Sequence, residues 1–251
     1  MNDHALPLMV AHFERLTDSV FLPPWLRHEH EARYAFCRAR VGGKVVLDCG
    51  SGEGKGSRAI AVGEPRMLVA VDRSVSAVSL ARDERIGAVA AEAERLGMRG
   101  LSAEVVVALE VIEHMEDPEG FLREAARVLR KDGILICSTP NRTVRNPGLP
   151  LSGRPLNPWH LREWTPEEFR ALLSLSFGEV ELFGQQPQSD GFTRLFERLP
   201  AIISRRGAAI LRQIVKLGTL VTPRRGRYDV RPIRPDADYE FIVGVCSGPR
   251  A

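Results

Sequence analysis

The chain has 251 residues, 44% hydrophobic and 27% charged, with a formal net charge of +3, which suits one α/β domain with an elaboration or at most two small domains. It contains no apolar run long enough to cross a bilayer and no secretory n-region followed by an h-region, so membrane-spanning and exported classes are set aside and a cytoplasmic location is expected. The four cysteines, Cys37, Cys49, Cys137 and Cys246, are scattered through apolar runs and read as core residues, not as disulfides or a thiolate metal site.

Residues 1–43 read as a helical lead-in broken at Pro23-Pro24, with Trp25, Tyr34 and Phe36 in its second part and a sheet edge to cover. The run Val45-Val46-Leu47 ends in Asp48 and breaks into Gly50, Gly52 and Gly54, the pattern of a buried parallel strand turning sharply into a helix over 54–63. Such a turn lets a ligand approach bare backbone, and the helix start offers it unpaired N–H groups. A dinucleotide fingerprint does not fit: counting from Gly50 puts Lys55 where the third glycine belongs, and the register Gly54, Gly56, Ala59 starts too far beyond Asp48. Met67–Asp72 is the second strand, and Asp72 lies 24 positions after Asp48, one strand–helix–strand unit. A carboxylate at that strand end can accept both hydroxyls of a ribose; a plain turn aspartate is the alternative.

Helix over 74–85 follows, with Ser74 as N-cap, then a third strand over 86–91 that ends at Glu92-Ala93. Glu104–Leu109 is a continuous β-branched run, as a strand buried on both faces should be. Pro118–Arg130 is amphipathic helix, Asp132-Gly133 a turn, and Ile134–Ser138 a fifth strand. This alternation predicts a parallel sheet with right-handed crossovers and ligand sites beyond the strands' carboxyl ends. Residues 142–158, rich in Pro and Gly, form a loop over the site. Thr165 caps a helix with Pro166 at its first position, running to Leu175, and Glu179–Phe183 is the sixth strand.

Several motifs then occur in order: D-x-G-x-G-x-G from Asp48, E-V-I-E-H-M-x-D-P from Glu110, F-L-R-E-A-x-R-V-L-R-x-D-G from Phe121 and S-T-P-N-R from Ser138. Together they resemble the class I S-adenosylmethionine (SAM)-dependent methyltransferases over roughly residues 28–185. The resemblance implies a Rossmann-like α/β sheet, mostly parallel with an antiparallel last strand, for which Tyr239–Cys246 is the candidate. It divides the chain into an N-terminal helical lid (1–43), a SAM-binding core (44–185), a basic helical insertion (186–238) and a final core strand with tail (239–251). It also implies SAM as cofactor, held by Asp48, Gly50, Ser51 and Gly52, by Asp72 and Arg73, by Glu92 and Ala93 at the adenine, and by Leu109. The stretch His28–Tyr34 resembles the N-terminal helix that closes over SAM in bacterial sugar and glycan methyltransferases, which makes Arg33 and Tyr34 lid residues.

Glu110, Glu113 and His114 are spaced i, i+3, i+4, and on a helical turn they share one face. Two carboxylates beside an imidazole suggest either a general base, His114 with Glu113, or a divalent metal site. Small-RNA 2′-O-methyltransferases carry a similar E-x-x-E-H followed by a later histidine ahead of E-W-T. By that resemblance Glu110, Glu113, His114 and His160 hold a metal, manganese or magnesium. Quinone and sugar methyltransferases share E-x-x-E-H, so a plain base stays open beside the metal. Residues 194–236 carry eleven Lys or Arg against three acidic residues, read either as a solvated or dimer-forming face or as a lid for an anionic acceptor. The expected function is O-methylation of a sugar, glycan or related small metabolite. A small-RNA 2′-O-methyltransferase is less favoured because the basic stretch lacks interleaved aromatics. A quinone-type phenol methyltransferase, N-methylation of an aminosugar and a non-catalytic SAM-binding protein are the further alternatives.

Overall fold

A computed structural model describes residues 24–146, 148–150, 153–187, 228–235 and 237–250. The part of the lead-in before Pro24, and residues 188–227, which hold most of the expected basic helical insertion, lie outside the described residues.

The elements run α1 (Pro24–Arg38), β1 (Val45–Cys49), α2 (Lys55–Ala61), β2 (Met67–Asp72), α3 (Val75–Ala81), β3 (Gly87–Ala90) and β4 (Ala103–Leu109). They continue with a 3-10 turn (Ile112–His114), α4 (Pro118–Val128), β5 (Leu129–Pro140), α5 (Arg142–Arg145), α6 (Pro166–Ser174), β6 (Phe177–Pro187), β7 (Arg231–Pro232) and β8 (Tyr239–Pro249). Among the described residues the strands form one sheet of order β3-β2-β1-β4-β5-β8-β6-β7. β3 to β5 pair in parallel, and β8 enters antiparallel between β5 and β6, as expected for the final strand.

The β-branched runs become central strands because both faces are covered. Side chains alternate across a strand, so Val46, Val105, Val107 and Ile136 face a core shared with Cys37, Val41 and Ile60. Their neighbours Leu47, Val106, Leu135 and Cys137 face a second core with Phe121, Leu122, Trp164 and Phe169. All four cysteines are buried and free, in keeping with a core role. Among the described residues no helix is long and apolar enough to cross a membrane.

Three expectations shift. The fifth strand starts at Leu129, not at Ile134, because Leu129 already pairs with Ala103 before a register shift, so Asp132-Gly133 lies inside the strand and not in a turn ahead of it. The helix after β2 stops at Ala81 because Arg82 is extended. The third correction is functional: Glu110 and His114 do not share a helical face. The regular turn covers only Ile112–His114, and Glu110 stands outside it in the left-handed region at φ 57°.

α1 is tied to the far side of the sheet by Gln185, which is fully buried. Its amide nitrogen donates to the carbonyls of Glu29 at 2.8 Å and Tyr228 at 2.7 Å, and its oxygen accepts from Arg33. Arg33 also lies 4.5 Å from the centre of the Phe241 ring. Tyr34, one position on, packs on the first turn of α2: a Cβ on Gly56 would stand 2.0 Å from its ring carbon Cζ. α1 thus bridges the start of β8 and the first turn of α2.

Candidate functional site

The turn after β1 is built from left-handed glycines, with φ 72° at Gly50, 53° at Gly52 and 79° at Gly54. These are not interchangeable. A Cβ at Gly50 would collide with the Val111 side chain, and one at Gly54 would stand 2.6 Å from the Ala81 backbone, so both glycines serve close packing. A Cβ at Gly52 would meet nothing within 4 Å, which leaves its backbone as the open face of the turn. Gly50 and Ser51 donate to the Val71 carbonyl at 2.8 and 3.0 Å, locking the turn to β2.

Asp72 ends β2 beside that open face. Its carboxylate accepts from Gly52 N and from Ser74 N, each at 2.9 Å, one on each oxygen, and each oxygen keeps a lone pair for a further donor. Ser74 caps α3 as expected. Asp48 is placed differently: it is 2% exposed, and Ser57 Oγ donates to it at 2.5 Å, so its carboxyl braces α2 from beneath the turn. Burial pushes it up to about 7 against the Ser57 bond, and Asp72 adds to the rise. Ser51 Oγ is buried without a hydrogen-bond partner. Tyr34 packs over Gly56, and burial raises its phenol above the ordinary range. Arg73 and Glu92 are exposed, Ala93 is half-buried, and Leu109 is buried at the end of β4.

β4 leads from this turn to the second part of the site. Glu110 donates its N–H to Ser138 Oγ at 3.0 Å while Ser138 Oγ–H donates to Glu110 Oε1 at 2.6 Å, a reciprocal pair that holds the left-handed residue. Val111 packs on Gly50, and the 3-10 turn then carries Glu113 and His114. The loop before α6 docks on that turn: Leu161 N and Arg162 N donate to the Glu113 carbonyl at 2.8 and 3.4 Å. Docking brings His160 to His114, with ring centres 4.8 Å apart and edge to face.

Glu113, His114 and His160 each offer a ligand atom within 4.8 Å of the others. Glu110, predicted to complete the set, stands outside this group with its carboxylate on Ser138. Glu113 is 1% exposed, and neither carboxylate oxygen has a hydrogen-bond partner. Burial raises its pKa well above the ordinary carboxylate value, Glu110 adds to the rise and His160 opposes it. An ionised carboxyl so placed lacks compensation from the protein, whereas a cation beside it would supply what is missing. The donor set of one carboxylate and two imidazoles therefore fits a divalent transition ion, with open positions left for water or substrate.

Sequence reasoning missed the residues behind the histidines. His114 Nδ1 donates to the Trp159 carbonyl at 3.0 Å, which leaves the lone pair on Nε2. His160 Nδ1 meets Glu163 Oε1 at 2.5 Å, and Glu163 in turn accepts from Asn146 Nδ2. The side chains of His160 and Glu163 are 8% and 2% exposed. A glutamate three positions after a histidine was the available signal, yet the same spacing is common on solvated surfaces. Thr165 caps α6 with Pro166 behind it, as expected, and Glu168 closes a capping box that fixes the end of this loop.

Residues 47–137 match the model of the methyltransferase domain family. A Mycobacterium tuberculosis protein named "Probable S-adenosylmethionine-dependent methyltransferase" is 38% identical over 163 residues, covering 64% of this chain and 58% of the relative. A ubiquinone biosynthesis O-methyltransferase of Azorhizobium caulinodans is 38% identical over 120 residues, covering 44% of this chain and 46% of the relative. The chain thus spans under two thirds of the length of these relatives. Among solved structures, an S-adenosylmethionine-dependent methyltransferase from Thermotoga maritima superposes with a TM-score of 0.59 at 16% identity, over 97% of this chain and 98% of that one. Residues 47–137 are accordingly a methyltransferase domain, and the sheet is that of the class I methyltransferase fold.

Proposed function

We propose that this chain, built on the class I methyltransferase fold, transfers a methyl group from SAM to a hydroxyl of a sugar, glycan or related small metabolite. The observation that carries the reading is the Glu113–His114–His160 group at the end of β4, joined to the glycine turn through the contact of Val111 with Gly50. When bound, SAM supplies an electrophilic methyl on a positively charged sulfur, and a divalent ion would lower the pKa of the acceptor hydroxyl. The chain's own residues align and deprotonate. The open backbone of Gly52 and the Asp72 carboxylate receive the adenosyl part, and Asp48 holds the turn in place from below. His114 presents Nε2 with its lone pair, set to take the hydroxyl proton as the methyl is transferred in line. In the metal-bound alternative Glu113, His114 and His160 would hold the ion, and Nε2 of His114 would then be a ligand and not the base. The indole of Trp159, 57% exposed next to these groups, offers a flat apolar face to a ring carrying the hydroxyl.

A second reading has its own support: the ubiquinone O-methyltransferase among the relatives favours a phenolic acceptor. Turnover of methyl-labelled SAM with sugar, catechol and short RNA acceptors, each with and without a chelator, tests all three acceptor classes. Transfer to saccharides alone supports the first reading, and transfer confined to catechols or to RNA replaces it. Full activity after exhaustive chelation removes the metal. The variant His114→Ala is expected to bind SAM but lose turnover, and near-normal turnover would remove His114 as base or ligand.

A further inference from the structure

The loop that brings His160 to the site is folded with its polarity reversed. The side chains of His160 and Glu163 are turned inward at 8% and 2% exposure, whereas Leu156, Trp159 and Leu161 stand 62%, 57% and 54% exposed. The loop is not free to turn over. Leu156 N donates to Asn146 Oδ1 at 2.6 Å, the Trp159 carbonyl accepts from His114, and Leu161 N donates to the Glu113 carbonyl. Further back, Arg142 donates to the carbonyls of Pro150 and Gly153 at 2.8 and 2.7 Å. Each of the three apolar residues is thus held in water by a bond of its own backbone. Single exposed apolar side chains are ordinary on a protein surface, but three large ones between positions 156 and 161 of a clasped loop call for a partner.

The chemistry of the loop selects that partner. Three side chains are too few for a stable contact with another protein, which takes roughly 20–30 residues a side, whereas an apolar tip is enough to enter the headgroup layer of a bilayer. An indole suits that layer, being apolar in body with one polar N–H. Exposed Arg154 and Arg162 bracket the three residues, and no acidic residue lies between them, so the charge complements anionic headgroups. We propose that the loop from Arg154 to Arg162 docks on an anionic lipid surface, with Leu156, Trp159 and Leu161 entering the headgroup layer and the two arginines meeting lipid phosphates. Because the Trp159 carbonyl is the partner of His114, docking sets the candidate site against that layer. A hydroxyl-bearing ring carried by a lipid would then meet the indole at headgroup depth. Only this last step rests on the function proposed above; the docking itself does not.

Co-sedimentation of the full chain with vesicles tests the proposal without any use of turnover. Vesicles of phosphatidylglycerol and phosphatidylcholine in equal parts are expected to bind the wild type, and vesicles of phosphatidylcholine alone to bind it more weakly. The double variant Leu156→Ser, Leu161→Ser keeps every charge and alters only exposed positions, and its partition onto the mixed vesicles should fall by at least about 10-fold. Tryptophan emission supplies the second readout: mixed vesicles should shift the wild-type spectrum to the blue, and Trp159→Phe should abolish the shift, since Trp164 is buried in the core. Failure of the wild type to bind mixed vesicles overturns the proposal. So does a double variant that binds as well as the wild type, which would place the contact elsewhere and leave it to charge alone. A blue shift that persists in Trp159→Phe also overturns it, and this comparison decides the matter even should the double variant not fold. Sedimentation equilibrium without lipid covers the rival occupant: a wild-type dimer that the double variant loses would make a second copy the partner and overturn the lipid.

Discussion

Replacing Asp48 by Asn should make the protein more stable, and by an amount that depends on pH. The carboxyl is 2% exposed and raised from 3.8 to about 7, chiefly by burial, so the folded chain keeps a proton that the unfolded chain has released over that interval. With more protons bound in the folded state, stability falls as pH rises, by about 1.36 kcal/mol per unit. Across roughly three units the loss approaches about 4 kcal/mol, fully incurred above about pH 7 and absent below 3.8. The replacement amide would keep an oxygen for Ser57 Oγ and carry no charge, so Asp48→Asn should match the wild type near pH 4 and exceed it increasingly up to pH 8. Urea unfolding of both proteins at unit steps from pH 4 to 8 measures the gap. Parallel stability profiles would refute the argument, since they would mean that the buried carboxyl costs nothing to ionise.

The glycines separate ligand approach from packing. Gly52→Ala should cost about 1–2 kcal/mol of stability for its left-handed backbone and a larger share of SAM affinity. Gly54→Ala adds a clash with Ala81 and should lose more stability than Gly52→Ala. Paired calorimetry and thermal melts check the ranking, and an unchanged SAM affinity in Gly52→Ala would place the ligand elsewhere. Asp72→Ala removes the partner of two backbone N–H groups and should weaken SAM by about 1–3 kcal/mol, read by titration calorimetry; equal affinity contradicts its role. Glu113→Gln should abolish turnover while raising the melting stability of metal-free protein, since an unpartnered buried charge costs more than the roughly 1–3 kcal/mol of an unpartnered neutral group such as the amide. A less stable, active Glu113→Gln would sink that account.

Much of the fold was legible because its signals are local. The β-branched runs, the alternating glycines, Ser74 and Thr165 as caps and the separation of Asp72 from Asp48 each constrain a few neighbouring residues, and the structure places them accordingly. What escaped depends on contacts between distant segments. Glu110 is grouped with Glu113 by spacing and by the small-RNA methyltransferase resemblance, and only the presence of Ser138 on the neighbouring strand explains why its carboxylate turns aside. The methyltransferase resemblance puts Asp48 among the residues that hold SAM, yet the first turn of α2 places Ser57 over it. Glu163 gave no sign of its bond to Asn146, seventeen positions earlier across a loop without regular structure.

The position of β8 has a consequence for how the molecule is made. The strand that joins β5 to β6 is drawn from residues 239–249, so during synthesis the sheet stays in two unjoined pieces until that segment clears the ribosome. Until then β5 and β6 each expose a bare edge, the kind of surface on which nascent chains stick to one another. Chaperone dependence, and the solubility of fragments that stop short of Tyr239, should both be governed by this late arrival.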